Sequence, residues 1–576
     1  MKRGNQKVGL DMNMVAYKDI CIEDIVAFIV KSHEVINKAI DLMGKDSDLL
    51  NLESIYGKSN AGFWCVLENN QIIGTMGLRP IKNEDNTCAE MRRLYIHPNW
   101  QNRGIGSELI NFAIKFAKEK SFEKLRVTTS FDRNVMIYLL QKRGFYQIQK
   151  YRVSSADLFY EKPLKPKYQK VYDELETSLN EGAIYFQKTL ILNPVENVPE
   201  MEVIKPCTSY LHGLYNTDSI RSVEEKINTK IQFSGRNAIS NDVNKIYHEW
   251  ANLLEGDAVS MRLLSGLHAH TVVFMAMTSI GDHVAILPEV AGGHMATKAI
   301  LERLGLIVHE FDVDYINQKI DINASLEMIK KYSPKIIFID RSEGLIYEDF
   351  SWLKDISAYK IFDASQYLTN IIGRDYPNPF QWGFNLILST LHKNLPGPQR
   401  AMICTKTRDD NWEKLRSGIS TYVSNMHVFS IYSAGIILKN YEALLALSQN
   451  MLENAIILEH ELQRNGLNVV QSSPSFLKQL HTHHLWIQAD SKEDAFNWYL
   501  ILERIGILVN YRKLPYKLGY GLRLGLSAAT YCGLCENDIP ELAQIISSAI
   551  KGGYSDELKN KSQSLITRIK RKDYGK

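Results

Sequence analysis

Residues 386–399 read LILSTLHKNLPGPQ. Leu386, Ile387 and Leu388 form the short apolar run of a buried strand, Ser389 and Thr390 follow, and Lys393 stands where the chain turns toward Pro396-Gly397-Pro398. No helix can continue there. A lysine at the end of a buried strand either extends its ammonium to water or is consumed in a covalent bond. The commonest such bond is a Schiff base to pyridoxal phosphate.

The flanking segments carry the partners that such a lysine needs. Upstream lie Ser265-Gly266-Leu267-His268, Gly292-Gly293-His294, KIIFID at 335–340 and IFDASQ at 361–366; downstream lies GLRLG at 521–525. A phosphate needs backbone and hydroxyl donors at a helix start, and Ser265, Gly266 and Leu267 offer them ahead of the helical stretch HTVVFMAM. Asp363 closes an apolar strand, where a carboxylate is costly to desolvate unless a cation meets it. A protonated pyridine nitrogen is that cation, and it makes the ring an electron sink.

In this order and spacing, the segments resemble serine hydroxymethyltransferase and its relatives among the fold-type I pyridoxal phosphate enzymes, over residues 180–550. The resemblance implies an α/β fold, a large domain with a mixed sheet followed by a small C-terminal α/β domain, working as a homodimer. It implies that Lys393 holds the cofactor with His392 beside it, that His294 stacks on the ring, and that Gln366 lies near its O3′ oxygen. It also implies that Arg523 pairs with the α-carboxylate of an amino acid. The expected chemistry breaks or makes a bond at Cα, with aldol or retro-aldol steps favoured.

Departures from the family pattern bear on the substrate. The serine expected before Glu196-Asn197 is Val195, and the glycine-rich segment that follows the lysine in folate users is Ser420-Thr421-Tyr422-Val423-Ser424-Asn425. The usual GPRGG is Gly397-Pro398-Gln399-Arg400-Ala401. The asparagine two residues after a late Val-Asn pair is replaced, since Val509-Asn510 leads to Tyr511-Arg512. The tyrosine and glutamate segment for proton transfer is not recognisable around residues 215–236. These differences argue against tetrahydrofolate and for a folate-independent aldolase or transaldolase acting on a β-hydroxy amino acid or glycine with an aldehyde.

The N-terminal part has a different signature. Residues 61–79 read as two strands joined by Glu68-Asn69-Asn70-Gln71, and Ala89 to His97 as a third, ended by Pro98. Then Gln101-Asn102-Arg103-Gly104-Ile105-Gly106 leads into a helix with Leu109, Phe112, Ala113, Phe116 and Ala117 at helical spacing. Such a loop and helix start present free N–H groups to a phosphate. With KLRVTTS at 124–130 and LLQKRGF at 139–145, the stretch resembles the GNAT acyltransferases over residues 14–155. That implies acetyl-CoA, with its pyrophosphate on Gln101, Arg103, Gly104, Ile105 and Gly106 and its arm near Asn134. Glu90 would be the base that deprotonates an amine. The tyrosine many members carry four residues before the Gly-Phe pair is Leu140 here, and Tyr138 lies on a different helical face.

The periodicity stops over 154–170, where Pro163 and Pro166 enforce extended backbone. The expected organisation is a GNAT domain at 1–160, a linker at 161–175, and a cofactor-dependent domain at 176–576 with a large part at 176–440 and a small part at 441–555. The chain carries 68 basic and 65 acidic residues, a net charge of +3, which makes no case for nucleic acid or membrane. The basic tail, with Lys559, Lys561, Arg568, Lys570, Arg571 and Lys572, reads as a solvated helix end. The first residues lack a signal-peptide core, and seven scattered cysteines fit reduced thiols, so the expected compartment is the cytoplasm. Cys532 and Cys535 lack the partners of a zinc site, and His481, His483 and His484 read as strand residues rather than metal ligands.

The economical expectation is a bifunctional enzyme in which one domain makes an amino acid and the other acetylates it, in either order. Two rivals are a single-activity enzyme with a GNAT domain that senses acetyl-CoA, and a regulatory protein holding pyridoxal phosphate as a structural ligand.

Overall fold

In the computed structural model, the hairpin read from residues 61–79 is built on strands β2 (Gly62–Glu68) and β3 (Gln71–Pro80). Its two turn residues, Asn69 and Asn70, both have positive φ (49° and 62°), the pairing that matches the natural strand twist. With β1 (Met14–Ala16), β4 (Cys88–Ile96), β5 (Lys124–Thr129), β6 (Tyr146–Ile148) and β7 (Leu158–Pro163) they form one sheet in the order β1-β2-β3-β4-β5-β7-β6. β4 and β5 run parallel, paired from Cys88 with Lys124 to Met91 with Val127. The helix Ile105–Glu119 buries Leu109, Ile110, Ala113 and Ala117 against Met76, Leu78, Met91 and Val127. Residues 161–163, expected to be linker, instead continue β7 along β5, and Leu164 is buried; the run of apolar side chains from Leu158 to Tyr160 carries the strand up to the proline. A helix at Gln169–Gln187, with no buried side chain, spans the point after Glu181 where the chain divides into two units.

The structure describes residues 13–36, 39–81, 87–165, 169–217, 223–228, 233–471 and 481–570. The start of the chain read for a leader, Pro166 of the expected linker, parts of 215–236, and Arg571 and Lys572 of the tail lie outside the described residues.

The second unit is organised on seven strands: β8 (Ala258–Ser260), β9 (His283–Ile286), β10 (Ile307–Glu310), β11 (Ile336–Ile339), β12 (Tyr359–Asp363), β13 (Leu386–Thr390) and β14 (Ala401–Thr405). Their order is β10-β9-β11-β12-β13-β14-β8; the first five are mutually parallel, and β14 is antiparallel to both its neighbours. Both faces of the central strands are covered, which is why β11 reads IIFI and is buried throughout, whereas the edge strand β10 (IVHE) keeps polar, exposed positions. Ile286, Phe338, Ile361 and Leu388 face a cluster with Val272, Phe274 and Leu415, while Ala285, Ile337, Phe362 and Ile387 face the larger core. A smaller antiparallel sheet, β15 (His484–Gln488), β17 (Tyr520–Gly525) and β16 (Asn510–Lys513), lies later in the chain. Ligands of parallel sheets bind beyond the carboxyl ends of the strands, and residues 292–294, 340–343, 363–366 and 391–393 all leave the sheet at that end.

Candidate active site

Asp363 is the last residue of β12, 8% exposed, and receives three hydrogen bonds. His270 Nε2 lies 2.7 Å from Oδ2, while the Ser365 amide and hydroxyl donate to Oδ1 at 2.8 and 2.5 Å. Burial alone would raise its pKa, but the His270 and Ser365 bonds and the Lys393 charge outweigh it and hold the carboxyl at about 2. Asp340, just past β11, behaves in the opposite way. It accepts only from Thr297 among side chains, at 2.5 Å, and burial, reinforced by Asp363, pushes it well above the usual carboxylate range. The two neighbouring carboxyls are thus pushed in opposite directions, Asp363 toward the ionised form and Asp340 toward the protonated one.

Lys393 is half-buried in the turn after β13, and Asn197 donates from Nδ2 to its carbonyl at 2.8 Å. Burial lowers the pKa of its ammonium, with Asp363 opposing and Arg523 adding to the shift. His392 beside it is likewise brought down to about 4, first by burial and then by Lys393. His294 is also lowered to about 4 by burial and the neighbouring His270 and Lys393, so its ring is neutral at ordinary pH. It stands edge-on to His270, with centroids 5.8 Å apart. The two glycines before it are required: a Cβ on Gly292 (φ +87°) would lie 2.1 Å from the Glu343 carbonyl oxygen, and one on Gly293 2.3 Å from that of Leu287.

Ser265 caps the helix Gly266–Met277, its hydroxyl accepting from the His268 amide at 3.3 Å. A Cβ on Gly266 would come within 3.0 Å of the Thr390 methyl group, so helix start and strand end meet closely; Leu267 is in the first helical turn and exposed. Thr390 Oγ1 and His392 Nδ1 are buried without a hydrogen-bond partner. Gln366 is buried, its Oε1 3.2 Å from His484 Nε2.

Arg523 on β17 is paired in register with Asn510 on β16, and it donates to Asn510 Oδ1 at 2.6 Å and to the Ser342 carbonyl at 3.3 Å. The fully buried Glu343 lies 3.8 Å from Arg523 and makes a close ion pair with Arg512, two residues beyond Asn510 on the same face of β16. One carboxylate therefore serves two guanidiniums, leaving a net positive charge for an incoming anion.

These residues meet the requirements of pyridoxal phosphate: an amine of depressed basicity, an ionised carboxylate for the ring nitrogen, a neutral aromatic ring, and unpartnered donors near a helix start. Sequence reading did not single out His270, Asp340 or Glu343. A histidine four residues into the Ser265 helix and a charged residue closing KIIFID were the available signals.

In the first unit, Gln101 and Arg103 follow the turn after β4, with Gln101 Nε2 donating to the Ile96 carbonyl at 3.3 Å and Arg103 4.5 Å over the Trp100 ring. Gly104 (φ 90°) begins the helix in which Ile105 and Gly106 form the first turn, and Asn134 begins the helix after β5. Both helix starts lie at the carboxyl ends of the parallel pair. Leu140 is fully buried and Tyr138 60% exposed, so Leu140 is a packing residue. Glu90 corrects an expectation. Its carboxylate receives Tyr151 Oη and Arg152 Nε, both at 2.7 Å, with Arg79 at 3.5 Å and Arg92 at 3.8 Å. Burial opposes ionisation, but Arg152 and Arg92 prevail and hold its pKa below the ordinary value, so it is ill suited to take a proton.

His481 and His484 have polar partners, His481 with Glu459 at 2.8 Å, but both ring nitrogens of the wholly buried His483 lack one. Among the described residues no group of three metal-ligating side chains is close enough to hold an ion. Burial lowers the His483 pKa to about 3. A base with a depressed folded pKa costs stability as pH falls below its unfolded value, because the unfolded chain takes up the proton first. We expect His483→Leu to gain about 2 kcal/mol relative to the parent between pH 8 and pH 5. Denaturant melts at the two pH values check this; parallel pH profiles would show that His483 is not the group involved.

The fold and this constellation define a pyridoxal-phosphate-dependent enzyme of fold type I, preceded by an acetyltransferase-type domain. The chain belongs to the serine hydroxymethyltransferase family, whose model matches residues 242–546, more than half its length, and the Acetyltransferase (GNAT) family model matches residues 35–145. It is 28% identical to the serine hydroxymethyltransferase of Picrophilus torridus over 305 residues, 50% of this chain and 69% of that protein. It is also 28% identical to the Pyrobaculum calidifontis enzyme over 316 residues, covering 53% and 73%. Among solved structures, L-threonine transaldolase from Pseudomonas fluorescens superposes with a TM-score of 0.64 at 21% identity, covering 70% of this chain and 93% of that one. Among the described residues no helix is long and apolar enough to cross a membrane.

Proposed function

We propose that the chain is a bifunctional enzyme that remodels a β-hydroxy amino acid at Cα without folate and acetylates an amine from acetyl-CoA. Pyridoxal phosphate, when bound, supplies the sink for the electron pair left at Cα. Lys393 would offer the amine that holds it, Asp363 would meet its ring nitrogen, and Ser265, Gly266 and Leu267 would receive its phosphate. Arg523 would bind the substrate α-carboxylate, and His294, held neutral by burial, would supply the aromatic face for the ring.

The observation that carries the folate-independent reading is the Arg512–Glu343 pair. Arg512 occupies the position where folate users of the family place an asparagine, and there this half-buried guanidinium is tied to the fully buried Glu343. Ser420, Thr421 and Tyr422 close the helix Asp410–Tyr422 where folate users carry a glycine-rich segment. The transaldolase named by the structural comparison fits the same chemistry. In the N-terminal domain the Gly104–Gly106 amides receive the pyrophosphate of acetyl-CoA, with Asn134 beside its arm. A homodimer through the cofactor domain completes the proposal.

Mass spectrometry of products tests it, using the full chain with pyridoxal phosphate, acetyl-CoA, a panel of amino acids and added aldehydes. Exchange of the β-carbon fragment without tetrahydrofolate, and an acetylated amine, are expected. Exchange only when tetrahydrofolate is present would overturn the folate-independent reading.

A further inference from the structure

The residues around Glu90 form a second cationic site. Arg79 is its register partner across β3, and Arg92 lies two residues on, so all three side chains share one face of the sheet. Arg152 reaches Glu90 from the chain after β6, and its other nitrogen donates to Thr128 Oγ1 at 3.3 Å. Thr128 is the first residue of β5 beyond its last pairing with β4, Met91 with Val127. The cluster therefore sits at the fork where the two parallel strands separate, on the way to the Gln101–Gly106 loop and Asn134.

The charges do not balance. Arg93 is neutralised by Asp46 at 2.8 Å and by a close pair with Asp48, which also lies 3.8 Å from Arg92. Four guanidiniums, Arg79, Arg92, Arg93 and Arg152, thus share three carboxylates, Asp46, Asp48 and Glu90. Glu90 is 1% exposed and committed, whereas the side chains of Arg79 and Arg152 are each 28% exposed and that of Arg92 17%. Burial and the like charges of Arg79 and Arg93 lower the Arg92 pKa, the mark of crowded cations short of a counter-ion.

We propose that Arg79, Arg92 and Arg152 receive the carboxylate of the acetyl acceptor, so that the acceptor class is the free amino acid and not a simple amine, an amino acid amide or a lysine side chain. This rests on the acetyltransferase reading of the domain and deepens it. A carboxylate held at the fork places an α-amine one carbon away, beside the loop that would carry the thioester. The neutral amine nitrogen then attacks the acetyl carbon, the C–S bond breaks with its electron pair leaving on sulfur, and the proton lost from nitrogen passes through water to the departing thiolate, giving the N-acetyl amino acid and the free CoA thiol. Glu90 is a positioning residue that holds the guanidiniums.

Two measurements on the full chain test the assignment. In the first, thiol release from acetyl-CoA is followed with L-amino acids and their amides. The free acids should be preferred by about 30-fold or more in kcat/KM, and Arg79→Gln or Arg152→Gln should collapse that ratio mainly through KM. In the second, N-acetyl-L-serine and N-acetyl-L-serinamide are titrated calorimetrically into CoA-loaded protein; neither has a free amine that could compete with Lys393 for pyridoxal phosphate. The acid should bind about tenfold or more tightly, and either glutamine variant should erase the difference. Equal binding of acid and amide, or a preference both variants leave intact, overturns the proposal. Absence of transfer to any acceptor would instead defeat the acetyltransferase reading, and calorimetry would still decide the site. If Arg152→Gln does not fold, the more simply bonded Arg79→Gln carries both arms.

Discussion

Lys393→Ala should reduce turnover at the amino acid Cα by at least about 10³-fold and remove any adduct that borohydride fixes in the parent protein. The reason lies in where the side chain is placed. Lys393 leaves the carboxyl end of the parallel sheet in a turn whose carbonyl is held by Asn197, and its amine is partly desolvated close to Asp363 and Arg523. Burial lowers its pKa, which raises the fraction of neutral, nucleophilic amine. Alanine removes that amine and leaves the carbonyl contact and β13 unchanged, so the variant should fold and melt like its parent. Peptide mapping after reduction, with a rate assay on the same preparation, makes the comparison. Undiminished turnover, or an adduct mapped to a different lysine, would remove the covalent role.

Asp363→Asn carries the second large effect, about 10²- to 10³-fold in kcat with little change in KM, since it replaces a fixed charge where charge develops by a neutral group of the same shape. The same substitution has a signature independent of turnover. The Asp363 carboxyl is held near pH 2 in the folded protein, below the ordinary value of 3.8. A depressed carboxyl contributes stability that is present above the unfolded pKa and lost as pH falls through the folded one. The parent should therefore exceed the variant by about 2 kcal/mol above pH 4, and the gap should close toward pH 2. A gap that stayed constant across this window would mean that Asp363 is not ionised in the folded chain.

Glu90 owes its ionisation to neighbours that lie mostly far away in the chain. Its position at the start of a strand in an acetyltransferase-like segment points to a base, and Arg92, two residues along the same face, is the one local sign of an ion pair instead. The arginines that ionise it come from β3, from two positions along β4, and from Arg152, 62 residues away. Likewise His270 lies 93 residues from the carboxylate it grips, and Asn197 lies 196 residues from the lysine carbonyl it holds. No spacing rule connects such pairs.

Patterns within a few residues were readable from the chain alone. The apolar run before Lys393, the Asn69-Asn70 turn and the Gly104 helix start all express local backbone preferences, which do not depend on distant neighbours. Folding settled the protonation states. Asp363 and Asp340 stand at the ends of neighbouring strands, yet the pKa of one is lowered and that of the other raised, because a carboxyl's pKa follows its burial and the donors that surround it. Those donors are brought together by the packing of helices and strands far apart in the chain.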